Sequence, residues 1–163
     1  MNNIESKKIG GWLICVAIGL VISPFRILLN AIEIFKPIFQ PGVWEALTTK
    51  GFNTYNPMLA YFCVFEIIMT SLIFGAILYT IYLFFTKNIN FPKFYILITL
   101  VPLVWFLVDV IIASKIDPSI EAFDNDTIST LIKSVLSACI WVPYMLVSTR
   151  VKETFTLSHL KTN

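Results

Sequence analysis

The sequence predicts an all-α fold, a bundle of four transmembrane helices with both chain ends on the cytoplasmic side. Three observations carry that expectation. The 163 residues are 57% hydrophobic and 13% charged, with a mean hydropathy of +0.80. Soluble domains are typically about 25% charged, so this chain lacks the polar surface to cover itself in water. Second, the apolar residues gather into four long runs, at about residues 9–29, 58–85, 94–114 and 128–147. A helix rising about 1.5 Å per residue needs about 20 residues to cross a hydrocarbon core roughly 30 Å thick. Third, the basic residues between the runs are unevenly shared. Lys7, Lys8, Lys87, Lys93, Arg150, Lys152 and Lys161 flank one side, against Lys36, Lys50 and Lys115 on the other. That asymmetry sets the lead, the second loop and the tail in the cytoplasm. The length fits a single membrane domain over residues 1–163.

The first run opens Ile9-Gly10-Gly11-Trp12-Leu13 after a short polar lead, with Trp12 as an interfacial anchor. Lys7 and Lys8 before an apolar stretch resemble a secretory signal, but the run is too long and no small-x-small cleavage site follows, so a retained span is expected. Cys15, Gly19 and Ser23 recur every four residues and suggest a face for close helix packing. Pro24 is expected to kink the helix one turn before Arg26.

Residues 34–56 read as a loop, in which Val43 to Leu47, between Pro41-Gly42 and Gly51, make a short surface helix with Trp44 and Leu47 on one side. The second run, about 28 residues or ~42 Å as a helix, exceeds the core and must tilt or project. Glu66 interrupts it, and Ser71 and Gly75 form another small-residue pair. A tight connection with Pro92 leads to the third run, which carries Pro102 and Asp109. An acidic loop holds Asp117, Glu121, Asp124 and Asp126, and Asp126 or Thr127 is expected to cap the fourth helix. Asn125-Asp126-Thr127 also matches a glycosylation acceptor. The fourth run contains Lys133 and Pro143.

Four ionisable residues therefore lie inside the runs, one on each. Arg26 is about 25 Å from the cytoplasmic side, and Glu66, Asp109 and Lys133 are about 8 to 12 Å in from the outer ends of their spans. A charge at mid-membrane costs about 2.5 kcal/mol or more, so two cations and two anions at similar depth have reason to meet. Arg26 with Glu66 and Asp109 with Lys133 are the expected pairs, with Arg26–Asp109 as the rival. The cluster either fixes helix order or lines a polar cavity open to the outside, and near the interface the cations can also snorkel.

Other chemistry finds little support. Cys15, Cys63 and Cys139 are odd in number, lack CxxC spacing and argue against disulfides and zinc. His159 is a solvated tail residue, and no P-loop, HExxH or nucleophile elbow is present. No cofactor or metal is expected. The net charge of +2, with no basic stripe interleaved with stacking aromatics, gives no reason to expect nucleic acid. At the end of the fourth run, Pro143-Tyr144 through Ser148-Thr149-Arg150-Val151-Lys152 to Phe155 forms a stop-transfer end. Tyr144, Ser148, Arg150, Lys152 and Phe155 make a candidate cytoplasmic interfacial motif, lying along the anionic inner leaflet.

That closing motif resembles the bacterial membrane-protein family of unknown function DUF2569. Gly10-Gly11-Trp12-Leu13, Ser23-Pro24 with Arg26, Phe65-Glu66 and Phe91-Pro92-Lys93 resemble it as well. The resemblance implies a four-span protein of the bacterial inner membrane and brings no activity. Two functional expectations stand beside it. One is a non-enzymatic accessory or interaction component of an envelope system, with the lipid bilayer, a membrane-protein partner or further copies of itself as partners. The alternative is a small transporter or channel built around Arg26, Glu66, Asp109 and Lys133.

Overall fold

The computed structural model describes residues 8–116 and 122–155. Lys7, Asp117, Glu121, His159 and Lys161 lie outside the described residues. Six helices follow in order: α1 (Trp12–Phe35), α2 (Val43–Thr48), α3 (Pro57–Phe85), α4 (Phe91–Ile116), α5 (Asn125–Val147) and α6 (Thr149–Thr154). There is no strand among the described residues. α1, α3, α4 and α5 are long and apolar enough to cross a membrane, as the four apolar runs predict.

Local chemistry explains where each helix begins and ends. α1 starts after Gly11, whose φ of 60° and ψ of −139° suit a residue without a Cβ. It continues to Phe35, past the expected end near residue 29, and stops where Pro37 offers no N–H to extend the ladder. Pro24 withdraws the donor that would serve the Leu20 carbonyl, and the Ser23 hydroxyl donates to that carbonyl instead at 2.8 Å. Asn56 caps α3 by accepting from the Leu59 N–H at 3.1 Å, with Pro57 in the first turn where its missing donor is harmless.

Between α3 and α4 the chain reverses through Lys87, left-handed at φ 51°. Lys87 N–H donates to Phe84 C=O and Asn88 N–H to Leu83 C=O, at 3.1 and 2.9 Å, the bond pattern that closes a helix through a left-handed residue. Asn88, buried, accepts from the Asn90 N–H. The cap of α5 is Asp124, not the expected Asp126 or Thr127. Its carboxylate accepts from Thr127 N–H at 2.8 Å, and hydrogen bonding from the Thr127 side chain, then from this N–H, holds its pKa below the usual aspartate range. A depressed folded pKa means that the capping contribution is present above the unfolded value and is lost as pH falls through the folded one.

The four long helices form an arc. α1 packs on α3, α3 on α4 and α4 on α5, while α2 rests against α3. Trp44 of α2 stacks on Phe39, ring centres 6.3 Å apart. α1 and α5, the two ends of the arc, make sparser contact with each other than either does with its neighbour. They come together at one end of the bundle, where Trp12 and Trp141 meet edge-on at 6.4 Å and Met145 of α5 shares a core with Leu13 and Val16.

That same end holds the core. Leu13, Val16 and Leu20 of α1 meet Leu83 and Phe84 of α3, Phe91 of α4, Met145 of α5, and Val151 and Phe155. Phe155 stacks 4.3 Å from Phe91 and 5.6 Å from Phe84. Along the remaining length, large apolar side chains such as Phe25, Leu29, Tyr61, Leu72 and Val104 are exposed, the outward surface a bilayer would cover.

The small-residue stripes do not serve as packing faces. A Cβ added at Gly19 or Gly75 would meet nothing within 4 Å. α1 packs through its bulky face, and the stripe of Cys15, Gly19 and Ser23 turns instead towards the gap before α5.

Candidate functional site: a cleft between the first and last spans

Because α1 and α5 stand apart, a cleft of about 580 Å³ opens between them, with α4 at its back. Volumes of about 300–1,000 Å³ are typical of small-molecule sites. α1 contributes Cys15, Gly19, Ser23 and Arg26, one face of the helix at successive turns. α5 contributes Thr130, Lys133, Ser134, Ser137 and Trp141 by the same spacing. α4 adds Tyr95 and Thr99. Arg26 lies about 13 Å from the far end of α1, and Lys133 about 12 Å from the far end of α5, so the two cations share a depth.

The hydroxyls differ in what they can offer. Ser23, Thr99 and Ser134 donate to carbonyls of their own helices at about 2.8 Å. Their protons are engaged, as is common for hydroxyls inside membrane helices. Thr130 and Ser137, both exposed to the cleft, make no such bond and keep their donors. No carboxylate lines the cleft.

The two acids are elsewhere. Glu66 of α3 and Asp109 of α4 face one another, with the Trp105 indole beside Glu66. Trp105 in turn packs edge-on against Phe65, centres 5.3 Å apart. Glu66 Oε1 is buried and has no hydrogen-bond partner. The expected pairs of opposite sign are therefore not the ones that form: like gathers with like, cations between α1 and α5, acids between α3 and α4. Consecutive helices are indeed neighbours, but Arg26 sits on the flank of α1 that looks towards α5 rather than towards α3.

The C-terminal motif is also placed differently from the leaflet-bound strip expected. Phe155 and Val151 are buried in the core rather than spread on lipid. Ser148 caps α6 by accepting from Val151 N–H, and Tyr144 packs edge-on against Trp141. Lys152 is exposed. The Arg150 guanidinium reaches back over Gly10 and Gly11 and donates to the Lys8 carbonyl at 3.5 Å. A Cβ at Gly10 would come within 2.5 Å of Arg150 Nη2. The sequence reading missed the hydroxyl face of α5, although a signal existed, since α5 is the least apolar of the four spans and its hydroxyls recur at helical spacing. Nothing in the sequence points to Trp105.

Among the described residues, no group of His, Cys, Asp and Glu is placed to hold a metal ion, and the three cysteines are free. Cys15 is exposed in the cleft, and Cys63 is buried.

Four membrane-length helices around a polar cleft define a multi-pass membrane protein. The chain belongs to the family described as protein of unknown function DUF2569, which it matches over residues 6–156. It is similar to the inner membrane protein YdgK of Escherichia coli K12, at 28% identity over 166 residues, covering 95% of this chain and 98% of that protein. No solved structure matches it.

Proposed function

We propose that this protein sits in the bacterial inner membrane, as its relative's name says of that protein, and binds an anionic group in the cleft between α1 and α5. The observation that supports this reading is the meeting of Arg26 and Lys133 in one cavity with no acid on its walls. Each cation taken into a bilayer costs about 2.5–3.5 kcal/mol on insertion scales. Two together repel, and a bound anion would offset both penalties. Thr130 and Ser137, one turn to either side of Lys133 on α5, add free hydroxyl donors to the same cleft wall.

Purified protein in mild detergent tests this through thermal unfolding in phosphate, sulfate or small carboxylates against chloride at equal ionic strength. A saturable rise in midpoint is expected, reaching about 2.7 kcal/mol of stabilisation at a hundred times Kd, and absent from Arg26→Gln and Lys133→Gln. No rise over chloride, or an equal rise in both variants, would end the proposal.

The accessory reading retains one supporting observation. The open stripe of Cys15, Gly19 and Ser23 would admit a partner helix. An acid on that helix would then take the place of the free anion, and a protein recovered with this one from native membranes, lost with Arg26→Gln, would favour it.

We also propose that both chain ends face the cytoplasm, from the unequal lysine and arginine flanks. A reporter active only in the periplasm should be silent when fused after Asn163 and active when inserted near Glu121. The opposite pattern would invert the cleft.

A further inference from the structure

We infer that the anion held by Arg26 and Lys133 is the phosphate of an anionic phospholipid, which enters the cleft sideways from the bilayer between α1 and α5; this rests on the anion-binding reading above. Three features point to a lipid rather than a free solute. α1 and α5 are in sparse contact beyond the end where Trp12, Trp141 and Met145 meet, so no packed helix seam seals the cleft between them from the side. Its two lips are apolar and exposed. Ile18 and Ile22 lie beside the polar face of α1, and Leu136 and Ile140 beside that of α5, each more than half exposed. A slot of mixed walls, with two cations and several hydroxyls beside Val16, Leu20, Ile77 and Ile98, set between two apolar lips, is complementary to an amphiphile, whose head is charged and whose chains must stay in hydrocarbon. Finally, the cations stand about 12 to 13 Å below the far helix ends. Arg and Lys side chains extend towards the headgroup region while their stems remain in lipid. A phosphate drawn a short way inward from that leaflet meets both.

The cleft does not continue to the other end of the bundle. Trp12 and Trp141 meet at its base, next to the packed core, of which Val16 and Leu20 also line the cleft. The headgroup therefore enters and leaves by the same lateral opening. Arg26 supplies a planar fork suited to two phosphate oxygens and Lys133 a point charge. Thr130 and Ser137 lie one turn to either side of Lys133, so one can donate to a phosphate oxygen and the other to a polar group of the head or glycerol further along the cleft.

The test uses the full chain, stripped of lipid in detergent and then offered phosphatidylglycerol, phosphatidylcholine or sn-glycerol 3-phosphate, with bound mass read by native mass spectrometry. One phosphatidylglycerol per protein should be retained, and phosphatidylcholine should not. Arg26→Gln with Lys133→Gln should weaken retention by roughly tenfold or more, equivalent to at least about 1.4 kcal/mol. Lys36→Gln, an exposed cation outside the cleft, should leave it unchanged. Gly19→Leu is the second variant. A Cβ there meets nothing within 4 Å, so the longer side chain takes up space in the cleft and should abolish retention, with thermal unfolding measured alongside to show that the fold is kept.

In vesicles, phosphatidylglycerol should slow modification of Cys15 by a water-soluble thiol reagent relative to pure phosphatidylcholine. Equal retention of both lipids, or retention of phosphatidylglycerol that survives Gly19→Leu, would overturn the inference. Binding of glycerol phosphate without phosphatidylglycerol would overturn it while leaving the anion-binding reading intact. Binding of neither would remove both.

Discussion

Phe84→Ala is expected to lower stability by about 3–5 kcal/mol, the range for truncating a fully buried aromatic side chain. Phe84 is completely buried and packs against Phe91 at 5.0 Å and Phe155 at 5.6 Å between ring centres. It is the meeting point of α3, α4 and the chain beyond α6. The loss should have a local signature as well, because Phe155 holds α6 against the bundle through these rings. Trypsin should then cut after Arg150 or Lys152 faster than in the parent protein. Phe85→Ala is the internal control. Phe85 is the next residue on the same helix and has the same chemistry, but it is 58% exposed. Apart from one edge-on contact with Phe84 at 5.3 Å, its ring faces outward, and truncating an outward apolar side chain in lipid exchanges one apolar neighbour for another. Equal losses from the two variants, measured by unfolding in detergent, would contradict the packing described here.

The second large effect concerns Glu66 and Asp109. Had each acid been paired with a cation, replacing either would leave an uncompensated buried charge and cost about 3–5 kcal/mol. With the two carboxyl groups facing one another, the sign reverses. Asp109→Asn keeps a polar partner opposite Glu66 and supplies a permanent amide donor beside it, where the buried Glu66 Oε1 lacks a partner. Stability should rise by about 1 kcal/mol, the net worth of one hydrogen bond. Double-mutant cycles give the sharper reading. Arg26 with Glu66, and Asp109 with Lys133, should be additive within about 0.5 kcal/mol, while Glu66 with Asp109 should couple beyond that. A strong coupling between Arg26 and Glu66 would restore the ion-pair arrangement.

The contrast between those two arrangements marks what was legible in the chain. The number of spans, their approximate limits and the depth of each charged residue follow from hydropathy and from the fixed rise of a helix, which are local properties. So do the Asn56-Pro57 start of α3 and the membrane character itself. Depth along an axis is written in residue number. Rotation about that axis is not, because four helices of similar apolar character can turn many faces inward at little difference in energy. The tertiary packing chose the bulky face of Leu13, Val16 and Leu20 for α1, since large side chains interlock with Leu83 and Phe84 at the terminal end. That choice turned Cys15, Gly19, Ser23 and Arg26 towards α5, converting an expected packing stripe into the wall of a cleft and separating Arg26 from Glu66. It also drew Phe155 out of the expected leaflet strip into the gap between Phe84 and Phe91, where its ring fits closely. Residue spacing alone placed four charges at one level; only the order and rotation of the helices decided which of them would meet.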